Sequence, residues 1–263
     1  MNLGGRTALV TGATGGLGQA IARALRRRGA SLVLTGRRED VLEALAAETG
    51  GRALPCDLTD RAAVARLVAE AGAVDVLVAN AGLSSSGRFD SFAVEQIDRA
   101  LEVNLRAPVV LARLLGAAMA ERGEGHIVFV SSLSGKAASG GGSLYSASTF
   151  GLRGFAQGLR EDLRPRGVGV SAVFPGFIRD AGMFHDSGAK LPGYVGTKTP
   201  EDVAHAVVGA IEHDRGEVDV APLSLRVGTA FASVAPGLSA AVQRRLGGAE
   251  IAAAHERGHR EKR

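Results

Sequence analysis

The segment Thr11-Gly12-Ala13-Thr14-Gly15-Gly16-Leu17-Gly18 joins an apolar run, Thr7–Thr11, to a helical pattern over 16–28. Glycine permits a tight turn and a close approach to the backbone, and the first turn of a helix has N–H groups without intrahelical partners. Such a turn can seat a pyrophosphate. Glycines at this spacing also serve merely to turn a chain, but their place between the first strand and first helix of a βαβ unit selects dinucleotide binding. On that reading Gly12, Thr14, Gly16, Leu17 and Gly18 form the phosphate seat. About twenty residues on, the second apolar run ends in Leu34-Thr35-Gly36-Arg37-Arg38. The acid that would hold a ribose 2′-hydroxyl is absent, and Arg37 and Arg38 suit a 2′-phosphate, so NADP is expected rather than NAD. If the two arginines are only a solvated helix start, that preference fails. Asp57-Leu58, past the third run, sits where Asp57 could meet an adenine amino group. Asn80-Ala81-Gly82 ends the fourth run and brings backbone to the same cleft.

The elements that must hold these residues follow from patterning. Nearly continuous Val, Leu and Ile runs recur at 7–11, 31–35, 74–79, 127–131 and 168–174, with weaker ones at 52–56 and 218–220. Unbroken apolar runs belong to strands covered on both faces. Helical patterns separate them at 16–28, 40–48, 60–71, 95–122, 143–164 and 200–213. Alternating strands and helices give parallel pairing through right-handed crossovers, hence a doubly wound, mostly parallel α/β sheet of Rossmann type. A single domain is expected, with the cofactor and catalytic body over 1–220 and an apolar segment and basic tail over 221–263 belonging to it. The Gly-punctuated stretch 180–199, containing Phe184, Leu191 and Tyr194, follows a strand at the edge where a lid would sit, and its apolar residues point to a mainly apolar ketone or alcohol.

In order along the chain, Thr11–Gly18, Asp57, Asn80-Ala81-Gly82, Asn104, Ser131-Ser132, Tyr145 and Pro175-Gly176 resemble the motifs of the classical short-chain dehydrogenase/reductase family, over nearly the whole chain to about residue 220. The resemblance implies an oxidoreductase that interconverts a carbonyl and an alcohol. It makes Asn104, Ser132 and Tyr145 catalytic positions, with Ser132 chosen because it stands thirteen residues before Tyr145. Pro175, Gly176 and Ile178 would border the nicotinamide, and a homodimer or homotetramer is implied. The chemistry agrees: hydride transfer at carbon requires a proton on the adjacent oxygen, which Tyr145 would give or take while Ser132 hydrogen-bonds that oxygen.

One position departs from the family pattern Tyr-x-x-x-Lys. Here Tyr145-Ser146-Ala147-Ser148-Thr149 puts threonine where the lysine belongs, one helical turn from the tyrosine and on the same face. A free tyrosine titrates near 10, and only a nearby positive charge lowers that value. Arg153 is two turns away, roughly 12 Å along the axis, too far for contact. Lys136 and Arg179 are the other cations that could reach inward. Three outcomes stay open: a weakened reductase, a cofactor-binding non-redox enzyme or sensor, or an introduced threonine in an ordinary enzyme.

Composition bounds the rest. The chain has 263 residues, 46% apolar and 22% charged, which fits a globular protein. Its one cysteine, Cys56, allows no intrachain disulfide and no cysteine-based zinc site, and no metal is expected. With no secretion signal legible, the expected location is cytoplasmic. The net charge of +4 is dispersed, apart from Arg26-Arg27-Arg28 and the tail, so no nucleic-acid partner is expected. The stretch 221–242 carries only Arg226 as a charge, but its prolines, glycines and serines lower its hydrophobicity. Packing against the body or a partner subunit is expected of it, and membrane contact is not.

Overall fold

In the computed structural model, which describes residues 1–188, 191 and 195–245, seven strands form one parallel sheet in the order β3-β2-β1-β4-β5-β6-β7. The strands are β1 (Thr7–Thr11), β2 (Ser31–Thr35), β3 (Arg52–Ala53), β4 (Val76–Ala79), β5 (Gly125–Val130), β6 (Val168–Pro175) and β7 (Glu217–Val220). The fold is therefore the doubly wound parallel α/β architecture expected from the apolar runs. Strand order reverses between β1 and β4, which opens a crevice beyond their carboxyl ends where ligands of such sheets bind.

Burial on both faces shows in the alternation of side chains along a strand. Ala8 and Val10 of β1, with Val76 and Val78 of β4, face α1 (Gly16–Arg27), α2 (Glu39–Thr49) and a later helix, Pro200–Glu212. Leu9 and Leu77, on the opposite face, join α3 (Arg61–Ala71) and the central helices. The register Ala8↔Val76, Leu9↔Leu77, Val10↔Val78 keeps the two sets apart.

The expected helix over 95–122 is three pieces. α4 (Val94–Leu101) runs into a π-helical turn, Glu102–Arg106, and then into α5 (Ala107–Arg122). The wide turn falls at Asn104, whose side chain forms a two-way clasp with another segment: Nδ2 donates to the Leu83 carbonyl at 2.9 Å, and Oδ1 accepts from the Leu83 N–H at 2.7 Å. Bulges of this kind cluster at functional sites.

α6 (Ser143–Leu163) carries Tyr145 and Thr149, and a short α7 (Met183–Asp186) lies in the expected lid. α8 (Pro200–Glu212) starts with the anticipated Pro200 and acidic first turn, and adds a reciprocal cap between Thr199 and Asp202. α9 (Leu223–Val234) and α10 (Pro236–Arg245) complete the described chain. β3 is shorter than the run over 52–56: beyond Ala53, the Leu54 N–H still reaches the Leu34 carbonyl of β2, but the Cys56 N–H bonds the Gly36 carbonyl past the end of that strand. Tyr194 and Gly193 of the lid and the basic tail 257–263 lie outside the described residues.

The segment 221–242 meets the body along one side only. α9 turns its small side chains, Thr229 and Ala232, to the body, while Leu223, Val227, Phe231 and Val234 face outward.

Candidate active site

Beyond the carboxyl edge of β1 and β4 lies a cleft of about 630 Å³. Gly12, Thr14, Gly16, Leu17 and Gly18 form one wall, Arg37, Arg38, Asp57 and Leu58 the far end, and Asn80, Ala81 and Gly82 the floor. It shares Leu17, Asn80, Ala81, Gly82, Gly182 and Met183 with a smaller cavity of about 110 Å³. That cavity holds Asn104, Ser132, Tyr145, Thr149, Pro175, Gly176 and Ile178. Every site residue read from the sequence thus lines one continuous space, although the residues come from the end of β6, from the loops after six strands, from α1 and α6, and from the π-helical turn at Asn104.

The glycine turn is held from beneath. Thr11 Oγ1 accepts the N–H groups of Asn80 and Ala81, each at 3.0 Å, and Asn80 Nδ2 donates to the carbonyls of Thr11 and Gly12 at 3.0 and 3.3 Å. Asn80 therefore shapes the turn with its amide. Gly12 adopts φ +64°, and a Cβ there would lie 2.7 Å from Ala81 Cα, so no larger residue fits. Gly16 and Gly18 are crowded by their own chain: a Cβ would approach Ala181 Cβ to 2.3 Å and the Gly12 carbonyl oxygen to 2.2 Å.

Gly15 differs. It is the N-cap of α1 in extended backbone, gives no side-chain cap, and a Cβ on it would meet nothing nearer than 3.4 Å. Its missing side chain leaves open space at the positive end of α1.

At the far end, the Arg38 guanidinium is engaged with the Thr14 carbonyl, tying the second strand's end to the glycine turn. Arg37 faces the cleft, as does Arg99 of α4, a residue that the sequence reading missed because nothing in a helical pattern marks it. Burial pushes the Asp57 carboxyl up, but hydrogen bonds from the Thr59 N–H and hydroxyl, with Arg37 and Arg99 nearby, outweigh it and hold Asp57 below the usual carboxylate range.

At the inner end, Ser132 and the buried Tyr145 phenol line the same small cavity, and Ser132 Oγ accepts the Ser134 N–H at 3.1 Å. Burial pushes the phenol above its ordinary value of 10.0, and the neighbouring Ser132 hydroxyl opposes this without cancelling it. Thr149 is buried. Its hydroxyl donates to the carbonyls of Tyr145 and Ser146 at 2.9 and 3.3 Å, so it is spent on its own helix.

Neither cation considered as a stand-in serves the tyrosine. Lys136 turns away to β7, with Nζ 2.6 Å from Asp219 Oδ1 and 2.9 Å from Glu217 Oε2, above the Phe174 ring. Two carboxylates and an aromatic face outcompete a neutral phenol for an ammonium. Arg179 pairs with Thr197 and Asp180 on the surface, and Arg153 pairs with Glu217.

The segment after β6 runs past the start of α1, where Ala181 adjoins Gly16. Gly182, Met183 and Phe184 roof the inner cavity, and Phe184 makes an edge contact with Phe177 at 5.1 Å.

A family model described as short chain dehydrogenase matches residues 6–192. The chain belongs to the short-chain dehydrogenase family. Among curated members, the ketoacyl reductase HetN of Nostoc sp. is 39% identical over 228 residues, 83% of this chain and 79% of the relative. The 3-oxoacyl-[acyl-carrier-protein] reductase FabG of Rickettsia conorii is 33% identical over 79% of this chain and 89% of its own. Among solved members, a short-chain dehydrogenase from Sphingobium yanoikuyae in complex with NADPH superposes with a TM-score of 0.76 at 30% identity, over 92% of this chain and 95% of that one. This short-chain dehydrogenase shares their doubly wound sheet.

Proposed function

We propose that this protein is an NADPH-dependent reductase that converts a mainly apolar carbonyl compound to its alcohol, at a rate limited by the absent lysine. The observation that carries the reading is the placement of Tyr145 and Ser132 together at the inner end of a cavity continuous with the glycine cleft.

The cleft fits a dinucleotide. Gly15 leaves room at a helix N-terminus, and Thr35 Oγ1 and Ser84 Oγ, on residues lining the cleft, are buried without a hydrogen-bond partner among the described residues. The turn from Gly12 to Gly18 would hold the diphosphate, Arg37 with Arg38 and Arg99 the 2′-phosphate, Asp57 the adenine, and Pro175, Gly176 and Ile178 the nicotinamide. NADPH, when bound, supplies the hydride.

The remaining chemistry belongs to the chain. Ser132 Oγ hydrogen-bonds the substrate oxygen, and Tyr145 Oη, which carries a proton through the neutral range, delivers it to that oxygen. Asn104 acts through Leu83, fixing the loop that follows Gly82. Leu17, Val130, Leu152, Ile178, Met183 and Phe184 give the inner cavity its apolar walls. With no cation at Thr149, the phenol is a poor base and a serviceable acid, which favours carbonyl reduction over alcohol oxidation. The reductase names of HetN and FabG point the same way.

Loss of NADPH absorbance on addition of apolar ketones tests the reading. Saturable NADPH binding with no turnover across a ketone and ketoacyl series would replace it with a cofactor sensor.

A further inference from the structure

α9 is built inside out. At 100° per residue, Leu223, Val227, Phe231 and Val234 fall within an arc of about 80°. Leu225, Thr229 and Ala232 lie on the opposite side, and the last two are buried against the body. The bulky side chains face outward, with Leu223 71%, Val227 60% and Val234 86% exposed, and Leu238 of α10 continues the row at 58%. A surface helix ordinarily turns its apolar stripe to the core. Here the stripe is left for something else.

Its surroundings say what. From Ala221 to Arg245 the chain carries Arg226, Arg244 and Arg245 and no acidic residue. Ser224, Gly228, Ala230 and Gly237 on the same two helices are small and exposed as well. Bulky apolar residues on one side, small neutral ones around them and a purely positive balance describe a helix that lies in the headgroup region of an anionic bilayer.

We propose that α9 and α10 dock this protein flat on an anionic lipid surface. The proposal stands apart from the redox reading and reverses the expectation drawn from the hydrophobicity of 221–242. It also gives the cavity a direction. Gly176 lines the inner cavity, and a Cβ on it would meet Ala221 Cβ at 3.1 Å and Leu225 Cδ1 at 3.7 Å, so the docked helix borders the substrate space. Entry of an apolar substrate from the bilayer is the one clause that rests on the proposed function.

The test is co-sedimentation of the full chain, without cofactor or substrate, with phosphatidylcholine vesicles containing or lacking phosphatidylglycerol. The expected result is binding to the anionic vesicles that weakens with salt and is reduced at least tenfold in the Val227→Glu/Phe231→Glu variant. Both positions are exposed, so the variant should keep its fold, which circular dichroism and NADPH binding check. Absence of vesicle binding by the unmodified chain would overturn the proposal, as would equal binding by the variant. Dissociation of an oligomer by these substitutions in light scattering, with no vesicle binding, would assign the face to a second copy. A failed redox reading would leave vesicle binding untouched, so the two failures are distinguishable.

Discussion

The Thr149 hydroxyl turns back onto the carbonyl of Tyr145, 2.9 Å away, and so offers the phenol one turn below it neither charge nor hydrogen bond. A side chain that bonds to its own helix is satisfied without a ligand. Replacing it with the family's lysine should restore a cation beside Tyr145. Thr149→Lys is expected to raise kcat for carbonyl reduction by about 10² to 10⁴, the usual span of one acid/base contribution, with a smaller change in NADPH affinity. Stopped-flow turnover beside a fluorescence titration measures both. Equal turnover in the two forms would remove the threonine from the argument.

The direction of the Tyr145 shift gives a pH signature. Burial holds the phenol protonated beyond its ordinary value of 10.0, so a step that needs the acid is flat from neutral pH upward until that range is reached. Alcohol oxidation needs the phenolate and should climb about tenfold per pH unit through the same interval. Thr149→Lys should move the oxidation limb to lower pH. Profiles of kcat/KM in both directions decide it, and an oxidation limb that levels near neutrality would contradict the assignment.

The two arginines after β2 are not equivalent. Arg38 is engaged with the Thr14 carbonyl, whereas Arg37 faces the cleft opposite Arg99. Arg37→Ala is expected to weaken NADPH binding by about 10- to 100-fold, as one charged hydrogen bond is worth about 1.5 to 3 kcal/mol, and to leave NADH binding nearly unchanged. Arg38→Ala should weaken both, because it loosens the turn. Parallel titrations with the two nucleotides distinguish them, and an unmodified chain that prefers NADH would make both arginines surface residues.

His126 provides a stability test remote from the site. It is buried on β5, with Nε2 2.8 Å from Ser171 Oγ, and burial lowers its pKa from 6.5 to about 4, with Asp214 opposing. The folded protein therefore binds its proton less readily than the unfolded chain. Stability is fully present above pH 6.5 and is lost as pH falls from there to about 4, amounting to about 3 kcal/mol in all. Urea unfolding at a series of pH values should show this slope, and His126→Gln should flatten it. A slope that survives in the variant would assign it to other groups.

Patterning alone yielded the strand and helix order, because both faces of a central parallel strand must be apolar and the helices between carry one apolar stripe. The glycine turn, Arg37 with Arg38, and Asn80-Ala81-Gly82 were legible in the same way, since tight turns and helix starts constrain residue type locally, whereas Asn104, Ser132, Tyr145, Pro175, Gly176 and Ile178 followed from the family resemblance. Arg99 escaped notice because its role depends on where α4 swings after the β4 loop, a distance that no local spacing encodes. The fate of Lys136 was equally invisible: it depends on Asp219 and Glu217, over eighty residues later in the chain and brought alongside by the β6–β7 pairing. The apolar row on α9 was legible as composition, but which way it faced was not. Helical periodicity places residues on a common side and is silent on whether that side meets the core or the solvent. Only the packing of Thr229 and Ala232 against the body settles that orientation.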